Sequence, residues 1–468
     1  MIKYLGIVRI LLVTSVISFS LVACIPRPTV VFTDQKSDNP EKYIPCDVPS
    51  QKDAKTRSQS LDIAINVDGS SSMFGYVNQA NSRYIQTLDI LDRIFSNQGN
   101  VEYYRIGTKP QGDQKGIQKL GNRQQFRKAQ FPEFYTGLNP SFPAVTSSLD
   151  KGITAPQKNN KLLVLVTDLE QNEGDVTNLK NQIEKFYFQD KNKNYAMGVL
   201  GVQSEFSGKV TPVARGYKTF NHDGKRPFYV IFVAPYSDIL YYYNQIKKSS
   251  IGEHEFSIFY PSAIPEEASH LDGKGSIPKG LSNQPSLTGN GIAVEVASPP
   301  YNLIELDKRS TEEFKQSPTV LPFSLLEHTL PPATDTLELR YSIKAYDPVQ
   351  KKFVERPDLA NLKQGIEFNN WQLKDNPNQL QFDTTIRPQA FSQPGIYLIS
   401  TDVVATELQD ADWWSQWDWG SRKNDTDGGK TYGLVNFMDN LKRTTMNLMN
   451  NEPAGNVIGR FCYGVQKD

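Results

Sequence analysis

The sequence predicts an α/β chain: a doubly wound, mostly parallel sheet first, then a β-rich region and a short helical tail. Three observations carry this. Two apolar runs of strand length, Leu61–Val67 and Leu162–Val166, bracket a stretch in which Ile85, Leu88, Leu91 and Ile94 recur at helical spacing. From about residue 249 the rhythm changes to short strand-like runs, Phe256–Tyr260, Gly291–Ala297, Thr336–Ala345 and Gly395–Val404, separated by Pro-, Gly- and Asn-rich turns. Near the end, Leu434, Phe437, Met438, Leu441, Met446 and Met449 fall on one face of a helix.

Residues 1–23 read as a secretory leader, with Lys3 and Arg9 ahead of an apolar stretch, Ile10–Ala23, that is short for a bilayer span. It ends in Leu21-Val22-Ala23-Cys24, which resembles the bacterial lipobox; the resemblance implies cleavage before Cys24 and lipidation of that cysteine. Ile25 behind it, rather than Asp, is what the lipoprotein sorting rule associates with the outer membrane in some Gram-negative cells. Loss of the leader leaves 49 basic against 51 acidic residues, a balance with no attraction for nucleic acid. Cys46 and Cys462 then remain, and export places them where disulfides persist, which favours their pairing over two buried free thiols.

Residues 24–60 are polar and proline-rich and read as a tether. Residues 61–248 form the α/β domain: a strand at Val101–Ile106, a helix capped by Asp175 with Leu179, Ile183 and Phe186 inward, and strands at Tyr195–Val202 and Phe228–Ala234. Between the last two, residues 203–227 read as an insertion, either a partner-facing surface or a plain rim. Residues 249–405 form the β-rich domain. In the final segment, 406–468, four of the five tryptophans, Trp413, Trp414, Trp417 and Trp419, support two readings, an aromatic platform for a glycan or membrane surface, or docking against the domains.

The chemistry concentrates where the two apolar runs end. The first stops at Asp68-Gly69-Ser70-Ser71-Ser72 and the second at Thr167-Asp168, so a parallel sheet would bring both to its carboxyl edge, where such sheets bind ligands. Two carboxylates and two hydroxyls make a sparse oxygen set suited to Mg²⁺, with Mn²⁺ or Ca²⁺ as substitutes. The D-x-S-x-S spacing of Asp68, Ser70 and Ser72, followed by Met73, resembles the von Willebrand factor type A domain and its metal-ion-dependent adhesion site. That resemblance implies a Rossmann-like sheet, hydroxyls binding the ion directly, aspartates holding it mostly through water, and a partner's carboxylate completing the shell. It also implies Asp168 as the second aspartate and a further hydroxyl ligand ahead of a helix. Ser141 is favoured for that place, because Phe142–Leu149 reads as a helix start, and Thr136 stays open.

Other motifs are absent from the sequence. His222, His254, His270 and His328 make no H-E-x-x-H, Gly69–Met73 lacks the closing glycine of a nucleophile elbow, and no phosphate-binding P-loop occurs. The expectation is a non-enzymatic, lipid-anchored envelope protein that captures a carboxylate-bearing protein partner through a divalent ion. The alternatives are metal-assisted hydrolysis, which lacks an evident general base, and an architectural envelope component with a vestigial metal site. If Cys24 carries the anchor, Cys24→Ser releases the protein from the membrane fraction or blocks its processing, and a variant still held there by lipid refutes the lipobox reading.

Overall fold

The computed structural model describes residues 29–32, 56–97, 100–109, 116–153, 161–170, 173–188, 194–211, 218–264, 269–270, 293–296, 301–306, 311–350, 352–375, 378–420, 427–451 and 455–467. The leader, Cys24 and Cys46 lie outside them. Cys462 is disulfide-bonded.

Seven strands build the first sheet: β1 (Asp62–Asp68), β2 (Asn100–Ile106), β3 (Ile117–Leu120), β4 (Lys161–Thr167), β5 (Tyr195–Val210), β6 (Phe220–Pro235) and β7 (His254–Phe259). Their order is β3-β2-β1-β4-β6-β5-β7. The expected doubly wound, mostly parallel sheet is not what forms. Only β2, β1 and β4 are paired in parallel, whereas β3, β6 and β7 run against their neighbours. The reason is local: β5 and β6 pair along their whole length, from Tyr195 opposite Pro235 to Val210 opposite Phe220. The expected insertion is therefore the outer half of one long hairpin, and a hairpin reverses direction where a helical crossover would preserve it. The sheet also runs past residue 248, because β7 adds to its edge.

Helices cover its faces. In α1 (Arg83–Ser96), Ser82 accepts a capping hydrogen bond from the Ile85 amide, and Tyr84, Leu88, Leu91 and Phe95 are buried. Helix α2 (Glu173–Ile183) begins two residues ahead of the expected cap at Asp175, and α3 (Tyr236–Lys247) follows β6 directly. Among the described residues no helix is long and apolar enough to cross a membrane.

The β-rich region contains β8 (Tyr301–Leu306), β9 (Phe314–Pro322), β10 (Glu338–Asp347), β11 (Lys352–Val354), β12 (Ile366–Asp375), β13 (Asn378–Ile386), β14 (Gly395–Val404) and β15 (Val457–Lys467). One sheet has the order β8-β15-β14-β10-β11, and a second the order β9-β13-β12. They face each other through aromatic rings: Phe368 and Phe382 lie 4.9 and 5.3 Å from Phe461 of β15. Within the two sheets the pairing is antiparallel except along β15, which β8 and the short strand Ser269–His270 join in parallel. Part of the expected tether is also engaged, since Thr29–Phe32 pairs in parallel with Ala293–Val296 and the Ser58 hydroxyl donates to Asp238 at 2.6 Å.

The tryptophans of the tail all point inward. Trp413, Trp414 and Trp417 on α4 (Asp412–Trp417), together with Trp419, are buried. Trp414 stacks on Phe259 of β7 at 5.9 Å, and the Trp413 indole N–H donates to Ser257. Trp417 lies so close over β5 that a Cβ at Gly201 would sit 2.6 Å from its ring. Docking, and not a surface platform, is their role, and α5 (Leu434–Asn450) buries its apolar face in the same core. Trp414→Ala empties a site that is 1% exposed; a loss of about 3–5 kcal/mol is expected from urea denaturation, and an unchanged midpoint would refute the docking.

Candidate metal-binding site at the sheet edge

The parallel register sets the site. Asp62 lies opposite both Asn100 and Lys161, and Val67 opposite Val166, so β1 and β4 finish together and release Asp68 and Asp168 at one edge. Both strands are buried on both faces, which is why Leu162–Val166 is an unbroken apolar run and Ile63–Val67 is interrupted by Asn66 alone, whose buried side-chain amide donates to the Val164 carbonyl at 3.3 Å. Asp68 is 0% exposed and Asp168 1%.

Asp68 is the better satisfied. The Ser70 amide donates to its Oδ1 at 2.9 Å, closing the loop on itself, while the hydroxyls of Ser147 and Thr167 donate to Oδ2 at 2.8 and 3.1 Å. The Ser70 and Ser72 hydroxyls face each other at 3.0 Å. Asp168 accepts from the Glu170 amide at 3.2 Å through Oδ1, whereas its buried Oδ2 has no hydrogen-bond partner. An acceptor in that condition costs free energy unless a cation or a proton meets it. The acidities say the same. Burial and then the charge of Asp168 push Asp68 up to about 6, against the Ser70 amide and the Ser147 and Ser70 hydroxyls. Burial raises Asp168 too, opposed by Arg226, the Glu170 amide and the Ser72 hydroxyl.

Two arginines frame this pair. Arg105 of β2 donates to the carbonyls of Gly69, Phe134 and Pro143 at 3.1, 3.2 and 2.9 Å. It thereby holds the Asp68 loop beneath the 134–143 loop, and Gly69 is glycine because a Cβ there would lie 2.5 Å from Arg105 Nε. Arg226 of β6 pairs with Glu170 at 2.5 Å and donates to the carbonyls of Gly428 and Lys430 at 2.8 and 3.1 Å. Burial pushes Glu170 up to about 7, against the pull of that guanidinium.

Asp68, Ser70, Ser72 and Asp168 thus come together as expected from their positions. Thr136 and Ser141 take other roles. Thr136 is half-buried and its amide donates to the Pro132 carbonyl. Ser141 is exposed, its amide donates to Asn139 Oδ1, and its carbonyl accepts from Gln118. The helix expected behind Ser141 does not form: residues 143–148 run without helix, and Thr146 bridges to Thr108. Pro143, Val145 and Thr146 explain this, since proline lacks an amide and β-branched residues favour extended backbone. The hydroxyl delivered to Asp68 is instead that of Ser147, just ahead of the short helical turn Leu149–Gly152. Its sequence signal was only the Ser147-Ser148 pair before that turn; Arg105 and Arg226 gave none beyond their places in strands, and Thr167 and Glu170 none beyond flanking Asp168.

Among the described residues no three His, Cys, Asp or Glu side chains gather as metal ligands. Any ion here would depend on the hydroxyls as well as on the two aspartates. The residues fit a small, hard cation: two buried carboxylates raise each other's proton affinity, one oxygen lacks a donor, and two hydroxyls stand beside them.

Because Asp68 titrates near 6 when folded and near 3.8 otherwise, the metal-free folded protein keeps a proton that the unfolded chain has released between those values. Its stability falls as pH rises through that window and stays reduced above it. Urea denaturation in chelator at several pH values checks this: Asp68→Asn flattens the trend, and an identical trend in both proteins overturns the assignment.

No protein-family model matches the chain, and no curated protein does.

Proposed function

We propose that the Asp68 loop and Asp168 hold a divalent cation, Mg²⁺ or Mn²⁺, through which the protein captures a carboxylate-bearing protein partner. The observation that carries this reading is the buried, unpartnered Oδ2 of Asp168 beside the Ser70–Ser72 hydroxyl pair. Ser70 and Ser72 would bind the ion, and Asp68 and Asp168 would hold it directly or through water, with Ser147 and Thr167 orienting Asp68. The ion supplies a positive centre with coordination positions left over, and the chain's own residues fix where it sits. The reading agrees with the resemblance of Asp68, Ser70 and Ser72 to the von Willebrand factor type A adhesion site.

With a lipid on Cys24, the same reading places the protein on a bacterial envelope membrane, outer membrane or cell surface. No catalysis is required of it. Among the described residues the buried general-base candidate beside the aspartates is Glu170, and it is engaged by Arg226.

Calorimetry with Mg²⁺ and Mn²⁺ tests the proposal. Wild type binds either ion with modest affinity, because few charged ligands contribute, and acetate tightens it. Asp68→Ala loses binding while circular dichroism shows the fold retained. Equal ion binding by the two folded proteins refutes the site.

A further inference from the structure

A recess is lined in part by Leu169, the residue after Asp168. Its volume is about 250 Å³, and it lies between Leu169, which follows Asp168 with a positive φ of 56°, and the first three turns of α5. Leu169, Leu434 and Phe437 form a floor that is at most 5% exposed. Asn436, Asn440 and Arg443 stand on the rim; their spacing of four and then three residues sets them on one face of the helix, above that floor.

We infer that this cavity binds a carboxylate attached to an apolar body, with an amide next to the carboxylate. Each part of that ligand answers a part of the cavity. Arg443 is exposed and makes one long contact, 3.4 Å, to Asp439, which Lys442 shares at 3.2 Å. A guanidinium with most of its donors open matches a planar carboxylate in two-point fashion. Asp439 beside it disfavours a dianion such as a phosphate ester. Among the described residues neither Asn436 nor Asn440 has a side-chain hydrogen-bond partner, so both amides remain to pair with a peptide-like group. The helix terminus does not compete for the anion, because Asp418 accepts from the Val435 amide at 3.2 Å.

The walls are held before any ligand arrives. The Tyr229 hydroxyl donates to Thr431 Oγ1 at 2.9 Å and Arg226 donates to the Lys430 carbonyl, which fixes the turn that enters α5. A preformed cavity spares the ordering cost of binding. The site is separate from the proposed cation site and does not rest on it.

The test is carried out in chelator, so that no carboxylate can bind through a metal ion. N-acetyl-L-leucine, N-acetyl-L-leucinamide and an acetylated hexapeptide ending in leucine are titrated into the full chain and into Arg443→Gln, an exposed change outside the core. The acid binds wild type at least tenfold more tightly than the amide, and R443Q abolishes that preference. A hexapeptide that binds more tightly than the single residue identifies a chain terminus as the natural ligand; equal affinity identifies a free acylamino acid. Absence of binding by both acids, equal binding of acid and amide, or a preference that survives in R443Q overturns the inference.

Discussion

A guanidinium sealed from water, that of Arg226, sits where three parts of the chain meet. It pairs with Glu170 three residues past β4, leaves β6 between Lys225 and Pro227, and donates to two carbonyls of the segment leading into α5. Removing one partner of such a buried pair costs about 3–5 kcal/mol, because the other charge is left without solvent. Arg105 does the equivalent on the opposite flank, with backbone carbonyls in place of a carboxylate. When Asp68, Asp168 and Glu170 are ionised, the buried set carries three negative and two positive charges, a net of one negative. A divalent ion would reverse that sign, and a single bound carboxylate would then neutralise it. In this accounting the arginines make the proposed pairing of cation and carboxylate electrostatically balanced, where two bare aspartates would be balanced by the cation alone.

What the sequence disclosed and what it withheld divide along physical lines. Asp68 and Asp168 were legible because strands buried on both faces are largely apolar, and such runs end abruptly where ligands begin. Strand direction was not legible for the same reason. Tyr195–Val202 and Phe228–Ala234 are apolar whichever way they run, and only the pairing of their polar extensions reveals a hairpin. Ser147 was hidden because a hydroxyl contributes no periodicity, and it lies inside the Phe142–Leu149 run that reads as a helix start. Arg105 and Arg226 looked like ordinary polar positions of a strand; their burial depends on carbonyls donated by distant loops. The tryptophans announced a large buried or interacting area, but composition does not say whether the surface they meet belongs to the same chain. Here it does, on β5 and β7.

The strand that closes the β-rich sheet is the last one, β15, which lies between β8 and β14. Its residue Cys462 stands opposite Tyr301, so that edge of the sheet waits on chain made some 160 residues later. Emergence of the polypeptide is slow compared with local strand and helix formation, and such distant pairings are the slow, exposed step of folding. During that interval the seven-stranded sheet has all its strands, yet Arg226 lacks the carbonyls of Gly428 and Lys430 and the faces of β5 and β7 lack their tryptophans. The half-made protein therefore passes through a stage with an open apolar flank and an undersupplied buried cation, which is the stage at which chaperones or proteases would have their best purchase on it.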